Sequence, residues 1–522
     1  MSYGELSNTQ ETMVLPMLQM KNIRGKPYIT VSAKGIANGL SNIPNDGADF
    51  GPDTTLNATA PGQYGSPYTE TVGINEAGSY LSKAITSANG VAGGGGKIVL
   101  VDSLTYQISA PIVIDAYSGS ASFSVTIEGV AWKRVGTQIC PSSSFPSDSY
   151  LLTINGGSGS LQAGFILKNF VFNGQKGGGF GGTPYASGFL VQNGNYGTID
   201  SVSYENCVVG RNFSITTGGT QQISGFAANN EIFENYTTGI INEYGGVTTV
   251  NPSFYPNSNT SVAIQEQGMQ NVEYINPLLI CSVYPVFMRV YINGNRAIKI
   301  SNLFYYGTYP SSGNYPIIQS YSTNENYQTI IYIDGITLNA SNPSTATTQL
   351  IQTVDNTGAN QGGYFFISKF NPILDTLLIL DNTIDTFVHL ILSDAYLSNL
   401  TTLNFSTGSS SDNFLYFYNC IGLPAPTLST NPPVSGTTYQ NTNPFDIRLK
   451  IPVTYSPTSS AAATLATGTS STSTVTTSTK VSYPAGITTG IINTYEMVVP
   501  AGQYFELVVA NATIGTVEVQ AA

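Results

Sequence analysis

Between about residues 120 and 425 the chain repeats a loose unit. Apolar positions alternate over about four residues, Asn, Asp or Gly follows, and the alternation resumes. Instances are Ile166-Leu167-Lys168-Asn169-Phe170-Val171-Phe172, Ile199-Asp200-Ser201-Val202-Ser203-Tyr204 and Val272-Glu273-Tyr274-Ile275-Asn276-Pro277-Leu278-Leu279. Ile298-Lys299-Ile300-Ser301-Asn302-Leu303-Phe304 and Ile331-Tyr332-Ile333-Asp334-Gly335-Ile336-Thr337-Leu338 are two more. A period of two places alternate side chains on opposite faces of a strand. Asn and Gly tolerate the left-handed backbone of a sharp bend. Each unit therefore predicts two strands meeting at a corner. The units recur roughly every 25 to 35 residues, a length suited to one coil of a solenoid. About a dozen coils at roughly 4.8 Å each would make a rod near 55 Å long. A large β-sandwich or a propeller is the alternative, disfavoured because the unit lacks strict blade periodicity.

One segment has a helical period instead. Ala77, Leu81, Ala84, Ile85 and Ala88 recur on one face, with Asn75 as N-cap and Gly90 as stop, which predicts a helix over 75–89. The turn-rich run from Asn45 to Thr54 precedes it. Gly93-Gly94-Gly95-Gly96 follows, then the short strand patterns Lys97-Ile98-Val99-Leu100-Val101, Tyr106-Gln107-Ile108 and Pro111-Ile112-Val113-Ile114. Residues 1–44 are weakly periodic and read as an attachment arm or as an extra strand on the next domain. After Gly422-Leu423-Pro424-Ala425-Pro426 the composition shifts. Residues 458–480 are almost wholly Ser, Thr, Ala and Gly, alone the signature of a flexible or glycosylated linker. Strand patterns flank them, however: Phe445–Val453 before, Glu496–Pro500 and Tyr504–Val509 after.

The order of turn, helix, Gly-rich loop and short strands resembles the entry of the pectate-lyase-like β-helix superfamily, whose helix caps the open end of the coil. The stretches Val434–Phe445 and Val499–Phe505 resemble small C-terminal sandwich domains of β-helical phage and archaeal-virus tail proteins, which trimerise through them. Together these resemblances imply an all-β chain in three parts: an N-terminal attachment arm over 1–44, a right-handed single-stranded parallel β-helix over 45–425 with its capping helix 75–89, and a C-terminal β-sandwich over 431–522. They imply a homotrimeric spike or tail fibre. It would join other virion proteins through the arm and bind a host-surface glycan, glycoprotein or surface layer.

Composition sharpens this picture. Only 9% of the 522 residues are Asp, Glu, Lys or Arg, against about 25% in ordinary soluble domains. The polar surface must be built from Ser, Thr, Asn, Gln and the 33 Tyr. A net charge of −12, with 18 basic residues spread thinly, argues against a nucleic-acid partner. No run of 18 apolar residues exists to span a membrane. The start Met1-Ser2-Tyr3-Gly4-Glu5-Leu6 lacks the pattern of a secretory signal. That suggests synthesis in a host cytoplasm, while the composition is that of an exposed, extracellular surface; a protein displayed on the virion reconciles the two. A cellular adhesin is the third reading, which a longer precursor with a signal sequence would favour. Cys140, Cys207, Cys281 and Cys420 lie far apart and read as buried free thiols, and with a single histidine no metal site or other cofactor is expected.

Related β-helices cut polysaccharides, so catalytic residues must be sought. The polygalacturonase pattern is absent, and the sole histidine, His389, sits in the apolar run Phe387-Val388-His389-Leu390-Ile391. The acidic clusters nearest the coil arginines are Glu231/Glu234 and Asp381/Asp385, weak candidates for a lyase or a glycosidase. Glycan recognition has more support by residue type, because Tyr offers an apolar face and a polar tip. Tyr305, Tyr306, Tyr309 and Tyr315 form the densest such stretch, and Tyr236, Tyr244 and Tyr255 a second. The competing reading is that these tyrosines ladder along strands and stabilise a charge-poor surface.

Overall fold

The computed structural model describes residues 105–521 apart from internal segments, the longer of which are 157–162, 215–222, 309–312, 323–328, 342–345, 356–360, 383–386, 406–413, 422–427, 442–445, 469–476 and 484–490. Ahead of residue 105 it describes the backbone of the strands Tyr28–Val31 and Gly96–Leu100. The expected helix 75–89 and nearly all of the arm 1–44 lie outside the described residues.

Through the two large sheets, strands pair in parallel with those one coil before and one coil after. Ile127 pairs with Leu167, Leu167 with Ile199, Ile199 with Ala228, and Ala228 with Thr249. The column continues through Tyr274, Ile300, Ile333, Ile367, Leu392 and Phe417. A second parallel sheet carries its own column from Ile114 through Ile154, Val191, Phe213, Asn242, Glu266 and Val290 to Ser320. This is the register of a parallel β-helix. Both columns point inward, and the apolar residues among them join one core running from Tyr106 to Leu397. The core includes a stack of rings on successive coils, with Phe172–Tyr204, Tyr204–Phe233 and Phe233–Phe254 centroids 5.6, 4.8 and 5.0 Å apart.

The Asn, Asp and Gly positions of the repeat form the corner. Asn169, Ser201, Asn230, Asn251, Asn276, Asn302, Gly335, Lys369, Asp394 and Asn419 all have positive φ. Their side chains bond along the rod: Asn251 Nδ2 donates to Asn230 Oδ1 at 3.2 Å, Asn276 to Asn251 at 3.1 Å and Asn302 to Asn276 at 3.0 Å. The left-handed residue inverts the in–out phase of the strand at this point.

Beyond residue 430 the sheets turn antiparallel. Ile447–Tyr455 pairs with Ile492–Val499, Ala512–Ile514 and Glu518–Ala521. Ala461–Gly468 pairs with Thr477–Tyr483 and with Tyr504–Ala510, which also pairs with Thr438–Gln440. Ile447, Leu449, Ile451 and Val453 from one sheet share a buried cluster with Ala461, Ala463, Leu465, Phe505 and Leu507 from the other. The linker-like run 458–480 thus supplies a central strand, with Ala461 and Ala463 facing the core. Among the described residues no helix is long and apolar enough to cross a membrane, and no cluster of three metal-ligating side chains forms.

Candidate functional site

The corner at Asn302 decides which tyrosines reach solvent. Beyond it Leu303 points in, Phe304 out, Tyr305 in and Tyr306 out. Tyr305 lies in the interior column between Leu279 and Leu338, and its hydroxyl donates to the Pro285 carbonyl at 3.1 Å. Its expected role in binding a glycan is therefore corrected: the ring is core. Tyr236 is corrected for the same reason, sealed edge-on against Phe233 and Phe254. Tyr309, Tyr244 and Asp385 lie outside the described residues. Tyr315 and Asp381 sit on the strands Gly313–Ser322 and Leu377–Asn382, and their side chains are outside the description, as is that of His389.

Glu231 is no accessible catalyst. It lies fully buried inside the coil, where Arg211 Nε reaches its two oxygens at 2.9 and 3.1 Å. Arg211 also donates to Asn242 Oδ1 at 3.4 Å and Thr249 Oγ1 at 2.9 Å. Asn242 donates to Glu266 at 2.7 Å, Tyr274 donates to the same carboxylate oxygen, and Arg296 meets the other at 3.4 Å. Burial raises both Glu231 and Glu266 above the usual carboxylate range, opposed by their arginines. This network crosses the coil interior and offers no face to a ligand.

The remaining candidates come together outside. Glu205 pairs with Glu234, and Glu234 with Tyr255. Phe254 pairs with Leu279, which sets Tyr255 beside Ile280; Ile280 pairs with Tyr306, and Tyr306 with Asn339. These six residues form one row on successive rungs, about 24 Å long at roughly 4.8 Å per rung, and all but Glu205 reach the surface. Ile280 and Tyr306 are each 37% exposed, and Phe304 in the neighbouring row 36%. Tyr255 and Glu234 are half-buried. Sequence reasoning found Glu234, Tyr255 and Tyr306 but placed them in separate groups, because unequal coil lengths hide the register. It missed Ile280, Phe304 and Glu205, for which no local signal exists.

A glycine-rich turn borders the acidic end of this strip. Asn173, Asn206 and Asn235 stack on successive coils, Asn206 Nδ2 donating to Asn173 Oδ1 at 3.2 Å and Asn235 Nδ2 to Asn206 Oδ1 at 2.5 Å. The same amides hold the turn down through the carbonyls of Gly179 and Gly182, at 2.6 to 3.2 Å. Glu205 and Glu234 sit on adjacent rungs, and a retaining glycosidase needs two carboxyl groups roughly 5–5.5 Å apart. Glu205, however, is only 3% exposed. The pair presents one accessible acid beside an apolar, aromatic track, an arrangement suited to holding a chain of sugar rings by their C–H faces and reading hydroxyls at one end.

No protein-family model matches the chain, and no curated protein matches it in sequence. Among solved structures it is similar to the tailspike protein gp49 of Acinetobacter baumannii bacteriophage Fri1, a capsular polysaccharide depolymerase, at 12% identity over 85% of this chain and 84% of that one, with a TM-score of 0.34. It is also similar to ORF18 of Geobacillus virus E2, at 12% identity over 80% and 72%, TM-score 0.33. The surface protein and adhesin PfbA of Streptococcus pneumoniae matches at 11% identity over 66% and 94%, TM-score 0.30. Several further matches are phage tailspikes. The parallel β-helix itself is established by the strand register.

Proposed function

We propose that the protein is a virion spike or tail fibre whose coil binds a host-surface glycan along the Glu234–Tyr306 strip. The observation that carries this reading is the alignment of Glu234, Tyr255, Ile280 and Tyr306 on successive rungs of a surface otherwise poor in charge. Residues 1–44 would join the protein to other virion proteins, and 431–522 would register three chains through the two antiparallel sheets.

A polysaccharide depolymerase on the same scaffold is the second reading, favoured by one observation: Glu205 and Glu234 sit on adjacent rungs. One experiment separates the two. The protein is incubated with capsular and other surface polysaccharides, and both retention on the glycan and release of reducing ends or unsaturated products are measured. Binding without products supports the spike reading. Products lost in Glu234→Gln support the enzyme. A stable monomer in sedimentation at micromolar concentration would remove the trimer.

A further inference from the structure

Tyr196 occupies a backbone position made for glycine. Ala163 pairs with Gly194 and Phe165 with Gly197, so Asn195 and Tyr196 together face Gly164 alone. One coil later Ile223 pairs with Gly245 and Phe226 with Val247, so Ser224 and Gly225 face Gly246. Both strands carry a bulge, and the second bulge residue is left-handed in each: φ is 58° at Tyr196 and 75° at Gly225. Gly225 is the ordinary solution, since a left-handed bulge residue without Cβ costs no strain. A bulky residue there is an outlier. Tyr196 is the one aromatic with positive φ among the described residues.

Core packing does not account for it, because Tyr196 is 74% exposed. Its ring rests instead on the next coil's glycine: a Cβ on Gly225 would come within 2.7 Å of Tyr196 Cδ1. The ring is thereby held from one side and open on the other. Beside it runs a low floor in register, Thr198 with Ala227 and Ala227 with Thr248, followed by Asp200 with Asn229 one row on. Strain kept in an exposed side chain is the mark of a residue retained for what it contacts.

We propose that Tyr196 is a stacking platform for a pyranose ring of a surface polysaccharide, with the hydroxyls of Thr198 and Thr248 and the polar heads of Asp200 and Asn229 reading the following ring. This rests on the glycan-binding reading but places a second contact on a different face, before the corner at Ser201 and not after it. The competing role is cover: an aromatic laid over a glycine also shields backbone.

The test starts from an array of purified capsular and O-antigen polysaccharides, probed with the full chain and with Tyr196→Ala, Tyr196→Gly and Tyr306→Ala. The polysaccharide best bound by the native chain is then titrated. Tyr196→Ala and Tyr196→Gly are expected to lose roughly tenfold in affinity. Tyr196→Gly should melt at the native temperature or above it, because the bulge gains the residue its φ favours. The polysaccharide should also protect Tyr196 from nitration by tetranitromethane, while Tyr418, 72% exposed, reacts as before; this arm needs no variant to fold. Native affinity in both Tyr196 variants, with Tyr306→Ala weakened, overturns the platform and leaves the glycan reading standing. A lowered melting temperature in Tyr196→Gly with unchanged binding assigns the ring to cover. If the array yields no bound polysaccharide, the glycan reading fails and the platform with it.

Discussion

Arg211 Nε donates to both carboxylate oxygens of Glu231, at 2.9 and 3.1 Å, with both side chains sealed from solvent inside the coil. Desolvating two charges costs several kcal/mol, which their attraction repays only while both are present. Arg211→Met alone should therefore destabilise the chain by about 3–5 kcal/mol, because it strands a buried acid. Arg211→Met with Glu231→Leu should recover most of that loss or exceed the native stability. Urea unfolding of the single and double variants decides; equal destabilisation in both would mean the pair matters by shape and not by charge.

The same burial sets a pH dependence. Desolvation raises Glu231 and Glu266 despite Arg211 and Arg296. The folded chain then keeps protons at a pH where the unfolded chain, near its ordinary value of about 4.3, has lost them. Their contribution to stability is greatest below that unfolded value and falls as pH rises through the raised folded one. The stability difference between native and Glu231→Gln proteins should accordingly shrink as pH rises above the unfolded value. A difference that grows with pH would show that the arginines outweigh desolvation.

On the outer strip, Tyr306→Ala and Tyr255→Ala are expected to weaken retention on a bound polysaccharide by roughly tenfold each. Far-ultraviolet circular dichroism should stay native, since both rings lie outside the core. Glu234→Gln separates holding from cutting: lowered retention marks a hydrogen-bonding acid, whereas intact retention with abolished product release marks a catalytic one.

The corner residues show how much of this was legible in the sequence. Asn169, Asn276, Asn302 and Gly335 are bends in the written pattern, and each has positive φ in the structure. Counting parity from such a bend would even have placed Tyr305 inside and Tyr306 outside, because the left-handed residue shifts the alternation by one. What could not be counted is the register between coils. Ala228 pairs with Thr249 but Ile300 with Ile333, so coils differ in length by a dozen residues. The Arg211–Glu231 pair and the Glu205–Tyr306 row both depend on that register. The bulge at Tyr196 has no signal at all in a single chain, since Asn193-Gly194-Asn195-Tyr196-Gly197 reads as an ordinary turn.

Thiol reactivity offers a check on the sealed interior. Cys140, Cys207 and Cys281 are buried and free, and burial pushes each thiol up, Cys281 to about 12. Cys420 is only half-buried and its thiol is raised by the same cause. At about pH 8 the native protein should therefore release colour from a disulfide reagent at a single thiol, Cys420, and from the other three only on denaturation. Cys420→Ser should silence the native reaction. A second fast thiol would mean that the coil opens on the time scale of the assay.

Asn276 has φ of 52°, donates to Asn251 and accepts from Asn302. Asn276→Ala removes both amide bonds and leaves a Cβ residue in left-handed backbone without the local hydrogen bonding that offsets it, a loss of about 1–3 kcal/mol. Asn276→Gly removes the same bonds but suits the backbone, so it should cost less than alanine. That order, glycine above alanine in thermal unfolding, distinguishes a corner governed by backbone conformation from one governed by the side-chain ladder, in which the two variants would be equally weakened. The corner already accepts Gly335 and Lys369 in the same conformation; left-handed backbone is common to the ten corner residues from Asn169 to Asn419, whereas the amide ladder is not.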